Sequence, residues 1–207
     1  MWDVFEHFVN EYEEWFLKHK FAYLSELKAV KALLPEGRGV EIGVGTGRFA
    51  VPLKIKIGVE PSKRMGKIAR RRGILVIEGT AENLPLKDES FDFALMVTTI
   101  CFVDDPLRAL QEAKRVIRKG GHIIVGIVGR ESFLGREYEE KKEKSLFYKR
   151  ARFFSTEEIV HLMKMVGFGD FKVVQTLFNH PSKLTDVEPV LKGYGEGAFV
   201  VIAGRKS

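Results

Sequence analysis

Apolar residues recur at Phe5, Phe8, Val9, Tyr12, Trp15 and Phe16, a three-and-four spacing that predicts a helix with one apolar face. A second helical pattern runs through Tyr23, Leu24, Leu27, Val30, Leu33 and Leu34. It stops at Pro35-Glu36-Gly37, because Pro disfavours helix in the residue before it and Gly permits a turn. Residues 1–36 thus read as a helical segment, either a cap over a site or outer helices of the core. From Arg38 the period changes. Short apolar runs at Val40 to Val44, Ile55 to Val59, Ile74 to Ile77, Phe91 to Val97 and His122 to Val128 read as strands. Between them Ser62 is placed to cap a helix through Met65, Ile68 and Ala69. Asp105-Pro106 opens another through Leu107, Leu110, Val116 and Ile117, with Gly120-Gly121 as its stop. Strands alternating with helices imply a parallel sheet.

Ser155 and Glu158 form a capping-box pattern ahead of Ile159, Leu162, Met163 and Val166, and Gly167 is placed to end that helix. Two more strands, Phe171 to Phe178 and Ala198 to Ala203, are separated by a polar loop with two prolines, which allows an antiparallel pair at one edge. The expected fold is a three-layer α/β/α sandwich in one domain, residues 1–207. Its parts are the 1–36 segment, a core at 37–129, a charge-rich segment at 130–153 and a C-terminal helix with the strand pair at 154–207. The charge-rich segment holds Phe133, Tyr138, Phe147 and Tyr148 among mixed charges. It reads equally as a lid and as a solvated surface helix.

Composition narrows the classes. The chain has 207 residues, 45% hydrophobic and 30% charged, enough for a core and too apolar for a disordered tail. It has no apolar run long enough to span a membrane and no basic, apolar export leader, so a cytoplasmic location without membrane attachment is expected. Cys101 is the single cysteine and the five histidines are scattered, so no metal site is expected. The net charge of +6 is compatible with an anionic partner but does not define a nucleic-acid binder. Two Gln and three Asn beside abundant Lys, Glu and Arg suit a thermophilic source.

The chemistry concentrates at Glu41-Ile42-Gly43-Val44-Gly45-Thr46-Gly47, where an apolar strand passes into three glycines and a helical stretch. Glycine lets the chain bend sharply and bring main-chain N–H groups against a ligand. The dinucleotide fingerprint fails, since Arg48 stands where its third glycine belongs, and no triphosphate loop is present. The acids suit a nucleoside with a zwitterionic amino-acid end instead. Glu41 can attract an ammonium, directly or through water. Glu60, in Gly58-Val59-Glu60-Pro61-Ser62, suits paired ribose hydroxyls. Glu82, in Glu78-Gly79-Thr80-Ala81-Glu82-Asn83-Leu84-Pro85, can accept from an adenine amino group.

These residues resemble the class I S-adenosylmethionine-dependent methyltransferases, in particular the small-molecule branch of methyltransferase type 11. The resemblance covers Glu41 to Gly47, Glu60, Ala81-Glu82, Phe91-Asp92-Phe93-Ala94 leading to Thr98-Thr99, and Leu110 to Gly121. Tyr12-Glu13-Glu14-Trp15-Phe16 is similar to the branch's Tyr-Asp-x-Trp-Phe stretch, an aromatic segment that often covers the cofactor. The resemblance implies a Rossmann-like, mostly parallel sheet of order 3-2-1-4-5-7-6 with strand seven antiparallel, and S-adenosylmethionine as cofactor. It assigns Glu41, Gly43, Val44, Gly45, Thr46 and Gly47 to the methionine end. Glu60 goes to ribose with Pro61 and Ser62 beside it, and Ala81, Glu82 and Asn83 go to adenine. Thr98 and Tyr12 would lie near the cofactor. Many relatives carry a histidine pair after strand four; Thr99-Ile100-Cys101-Phe102-Val103 stands here, so no catalytic base is assigned.

Phe102, Tyr148 and His180 are the candidate acceptor-pocket residues. Cys101 reads as an apolar filler, lacking the Pro-Cys of cytosine methylases, and no Asn/Asp-Pro-Pro-Tyr motif points to an adenine amine. Arg70-Arg71-Arg72 reads as a solvated helix face. The expected activity is methyl transfer to a small, partly apolar molecule. The alternatives are an RNA methyltransferase, suggested by the basic residues from Lys141 to Arg152, and a catalytically silent S-adenosylmethionine-binding protein.

Overall fold

The computed structural model describes residues 3–207, so the first two positions of the 1–36 segment lie outside it. Its strands are β1 (Gly39–Ile42), β2 (Ile57–Val59), β3 (Leu75–Ile77), β4 (Phe91–Val97), β5 (Ile117–Val128), β6 (Phe168–Thr176), β7 (Leu191–Lys192) and β8 (Phe199–Lys206). They join in one sheet of order β3-β2-β1-β4-β5-β8-β6-β7. The first five pair with one another in parallel, and β8 runs antiparallel between β5 and β6. The expected order is kept, with β8 in the place of strand seven. The addition is two-residue β7, where the loop after β6 folds back to pair Lys192 with Val174 and Leu191 with Gln175.

Strand alternation gives the sheet two apolar faces. Ala94 and Met96 of β4 and Val200 and Ile202 of β8 point to one, where α5 (Pro106–Val116) and α7 (Thr156–Met165) supply Leu110, Ala113, Ile159 and Met163. Phe93, Leu95, Val97, Phe199 and Val201 point to the other. There α3 (Lys20–Leu33) and α4 (Lys63–Arg71) contribute Ala22, Ala29, Val30 and Ala69. The result is the expected three-layer sandwich.

The caps behave as their sequences direct. Ser62 Oγ accepts from Met65 N–H, Asp105 accepts from Arg108 N–H at 2.9 Å, and Ser155 and Glu158 close a reciprocal capping box.

Three local expectations change. The first helical pattern breaks at Phe8 into α1 (Asp3–His7) and α2 (Val9–Lys18), and His19 separates α2 from α3. The segment also divides by role, because α3 is a layer of the core that reaches the site through Glu26, whereas α1 and α2 lie over the site. Gly120 and Gly121 do not stop α5. The helix ends at Val116 and the chain enters β5 at once, with a register shift against β4 between Phe91 and Phe93. After the glycine loop, residues 47–54 make successive turns without a helix, because Pro52 lacks an N–H and Lys54 takes φ 60°.

Candidate functional site

A cavity of about 940 Å³ opens beside the carboxyl ends of β1, β2 and β4, the general ligand position in open α/β sheets. One wall is the glycine loop. Gly43 and Gly45 have φ of +73° and +54°, and a Cβ on Gly43 would come within 2.5 Å of the Thr99 side chain. A Cβ on Gly45 would meet the Tyr12 hydroxyl at 3.1 Å, so glycine here lets α2 lie close on the loop. Val44 is buried and packs beneath the loop, and Gly47 takes φ +84°.

Three carboxylates are buried at or near this wall. Glu41 is 2% exposed and outside the cavity lining, and its Oε2 has no hydrogen-bond partner among the described residues. Burial pushes its carboxyl well above the usual range, and the Glu60 charge adds to that, against a hydrogen bond from the Ala50 main chain. Glu60 is 7% exposed and lines the cavity. It accepts the Gly45 N–H at 2.8 Å through one oxygen and the Ser62 N–H at 2.9 Å through the other. Burial raises it to about 7 in spite of those two bonds. A carboxylate offers about four acceptor positions, so two remain unused by these bonds. The third is Glu26 on α3, 6% exposed and part of the cavity lining. Burial alone raises it to about 8.

Of the other expected cofactor residues, Tyr12, Pro61, Ala81, Glu82 and Thr98 line the cavity. Thr98 sits at φ +49°, a conformation that non-glycine residues rarely adopt. Glu82 Oε1 accepts the Asp104 N–H at 2.8 Å, which ties the loop after β3 to the start of α5. Ser62 caps α4, and its hydroxyl donates to Glu6 at 2.6 Å. Asn83 is exposed and outside the lining. Thr46 is buried and gives its hydroxyl to Glu13.

Glu13 was not singled out by the sequence, yet it joins three segments. It holds Thr46, Arg48 and Arg72, the last through Nη2 at 2.6 Å, while Arg72 Nη1 also donates to the Thr46 carbonyl at 2.9 Å. Partial burial opposes its charge, but the bonds from Arg72, Arg48 and Thr46 outweigh it and hold the carboxyl at about 2. Arg72 therefore does not belong to a solvated face. Glu112 and Arg115 do similar work for the loop after β3: Glu112 accepts the Leu84 N–H, and Arg115 donates to the Leu84 and Leu86 carbonyls.

The opposite wall is aromatic. The 130–153 segment forms α6 (Phe133–Glu140) and short turns, and it faces the cavity with Leu134, Tyr138, Phe147 and Tyr148. Tyr138 and Tyr148 stack with centroids 4.5 Å apart, and Tyr148 stacks on Phe102 at 6.2 Å. Phe5 of α1 stacks on Phe147 at 5.6 Å and meets Phe102 edge-on at 4.8 Å, so the N-terminal helices and this segment close over the cavity together. Of the candidate acceptor-pocket residues, Phe102 and Tyr148 line this cavity. His180 does not. It lies outside the lining, although its partner Glu137, at 3.2 Å, is a lining residue. Cys101 is buried, and burial pushes its thiol up to about 12. Among the described residues no group of three or more His, Cys, Asp or Glu could hold a metal ion, and no helix is long and apolar enough to cross a membrane.

Residues 40–125 match the family model described as a methyltransferase domain. A SAM-dependent methyltransferase from Thermotoga maritima is 77% identical over all of both chains, and its crystal structure superposes with a TM-score of 0.99. An uncharacterised protein of Methanocaldococcus jannaschii is 52% identical over 204 residues, 99% of each chain. A chloroplastic 2-methyl-6-phytyl-1,4-hydroquinone methyltransferase of Oryza sativa is 30% identical over 147 residues, 66% of this chain and 40% of its own.

Proposed function

The chain belongs to the S-adenosylmethionine-dependent methyltransferases, and from that premise we propose that it methylates a small, partly apolar molecule held between the glycine loop and the aromatic wall. The cofactor supplies a methyl group on a cationic sulfonium, ready for in-line attack by a nucleophile. The protein's part is to align the two atoms and exclude water.

The donor set suits this cofactor. The two unused acceptor positions on Glu60 match a pair of ribose hydroxyls, and Glu41, outside the cavity lining, keeps an Oε2 without a partner among the described residues that an ammonium would reach through bound water. Ala81 and Glu82 offer an apolar contact and an acceptor at the adenine position. Buried acids shifted upward by burial also favour a cationic ligand, which would stabilise their charged forms.

The observation that carries the acceptor reading is the continuation of the cavity past these residues and under Trp15, Phe102, Phe147, Tyr138 and Tyr148. Such a compartment suits a compact ring better than a polynucleotide. The lid's lysines support the same choice, since Lys141 and Lys142 pair with Glu137 and Glu139 and so offer little free charge to a phosphate chain. The Thermotoga maritima relative is described as a possible histamine N-methyltransferase, and the rice relative is a hydroquinone methyltransferase. Both names denote acceptors built on an aromatic ring, the second with a long phytyl chain.

The test is transfer of radiolabelled methyl from S-adenosylmethionine to arylalkylamines, hydroquinones and unmodified RNA. Label on a small aromatic molecule is expected. Label on RNA alone would overturn the reading, and cofactor binding without transfer in any fraction would favour a silent binder.

A further inference from the structure

Glu26 is a carboxyl inside a partly aromatic cavity with no partner among the described residues. It projects from α3 at the position between Ala22 and Val30, the side of the helix that packs into the core. It is 6% exposed, lines the cavity, and has neither a hydrogen bond nor an ion pair among the described residues. Its chain neighbour Ser25 shows the contrast. That hydroxyl donates to Phe21 and accepts the Glu188 N–H, so it is fully used in the fold. A buried acid without a partner costs stability, so this position favours a group that arrives from outside.

Resting on the methyltransferase reading, we propose that Glu26 is the anchor of the acceptor subsite and that it binds the ammonium group of an aryl or alkyl amine. The aromatic rings that line the same cavity, Tyr138 and Tyr148 of the 130–153 segment and Trp15 from α2, suit both the apolar body of such a molecule and a cation over a ring face. An ammonium held by a carboxylate has no free electron pair. The methyl group therefore goes to a second nucleophilic atom on the same molecule, and Glu26 fixes which atom faces the sulfonium.

The titratable groups around Glu26 do not compete for its proton. Tyr23 on its own helix and Tyr138 and Tyr148 of the 130–153 segment all have hydroxyls raised by burial. Glu137 and Lys141, which also line the cavity, are paired with each other at 2.7 Å; Lys144 lines it from the exposed end of the lid. The empty site holds Glu26 protonated at neutral pH, because burial raises it to about 8. Binding an amine that is already protonated must then expel the Glu26 proton to solvent.

Calorimetry with 2-phenylethylamine and its neutral isostere 2-phenylethanol tests this, with and without S-adenosylhomocysteine and in buffers of different ionisation enthalpy. The amine is expected to bind ~10- to 100-fold more tightly than the alcohol, with release of about one proton at neutral pH. Glu26→Gln should erase both the preference and the proton release while leaving S-adenosylhomocysteine affinity unchanged. That retained affinity shows the variant is folded. Equal binding of amine and alcohol, no amine binding, or a preference that survives in Glu26→Gln would overturn the assignment. Failure of S-adenosylhomocysteine to bind the unaltered protein would instead remove the methyltransferase reading, and the amine preference without it would still decide the role of Glu26.

Discussion

The Glu60 carboxylate accepts the Gly45 N–H at 2.8 Å, which fastens the end of β2 to the bend of the glycine loop. One side chain therefore shapes the loop and keeps two acceptor positions for a ligand. Replacing Glu60 with Ala removes both functions. The expected loss in S-adenosylhomocysteine affinity is about 1–3 kcal/mol, roughly 5- to 150-fold, measured by calorimetry. Affinity equal to that of the unaltered protein would remove Glu60 from the cofactor site.

Glu13 ties α2 to the glycine loop through Thr46 and Arg48 and to the end of α4 through Arg72. Glu13→Ala leaves two arginines without their carboxylate in a partly buried site. It is expected to cost about 2–4 kcal/mol in chemical denaturation and to weaken the cofactor as the loop loosens. Glu13→Gln should recover part of the stability, since the amide oxygen still accepts. A fully stable Glu13→Ala protein would show the hub to be dispensable.

The pH dependence has a definite sign. Burial raises Glu26 to about 8 and Glu60 to about 7, above the ordinary 4.5. The folded chain thus keeps protons that the unfolded chain releases, and stability falls as pH climbs from about 4.5 to 8. Glu13 acts oppositely. Its contribution is complete above about 4.5 and disappears as pH falls through about 2. Thermal unfolding of the ligand-free protein should show a midpoint that declines from mildly acidic to alkaline pH. Glu26→Gln should flatten part of that decline, and an unchanged slope would count against the buried, unpaired state of Glu26.

Phe147 stacks on Phe5, joining lid and N-terminal helices over the cavity. Phe147→Ala should open this closure, raising the acceptor KM by about tenfold or more once an acceptor is in hand and leaving S-adenosylhomocysteine affinity within about twofold. Steady-state kinetics paired with calorimetry separates the two. A loss confined to cofactor binding would place Phe147 at the other end of the cavity.

Much of the architecture was legible because its signals are local. Asp105 and the Ser155–Glu158 pair cap their helices from within three residues, and the period-two runs of β4 and β8 mark both faces of the sheet. Gly120 misled for the same reason: a glycine after a helical pattern looks like a stop, whereas pairing with β4 extends the strand back to Ile117. Glu26 was passed over because the helical reading counted apolar positions. A charged residue four places after Ala22 and four before Val30 was the available signal, a carboxyl on the buried side of a helix.

By itself the sequence determined the fold class, the glycine bend and the acids that flank it, since periodicity, capping and the conformational freedom of glycine are properties of short segments, whereas the strand order followed only from the family resemblance. Only the tertiary structure decided that Glu13 meets Arg72 across 59 positions, that Glu26 lines the same cavity as Tyr138 and Tyr148, and that His180, itself outside the lining, pairs with the cavity residue Glu137. Those relations depend on how helices and loops pack in three dimensions, and a side chain's partner is chosen by proximity in space, which no local pattern encodes.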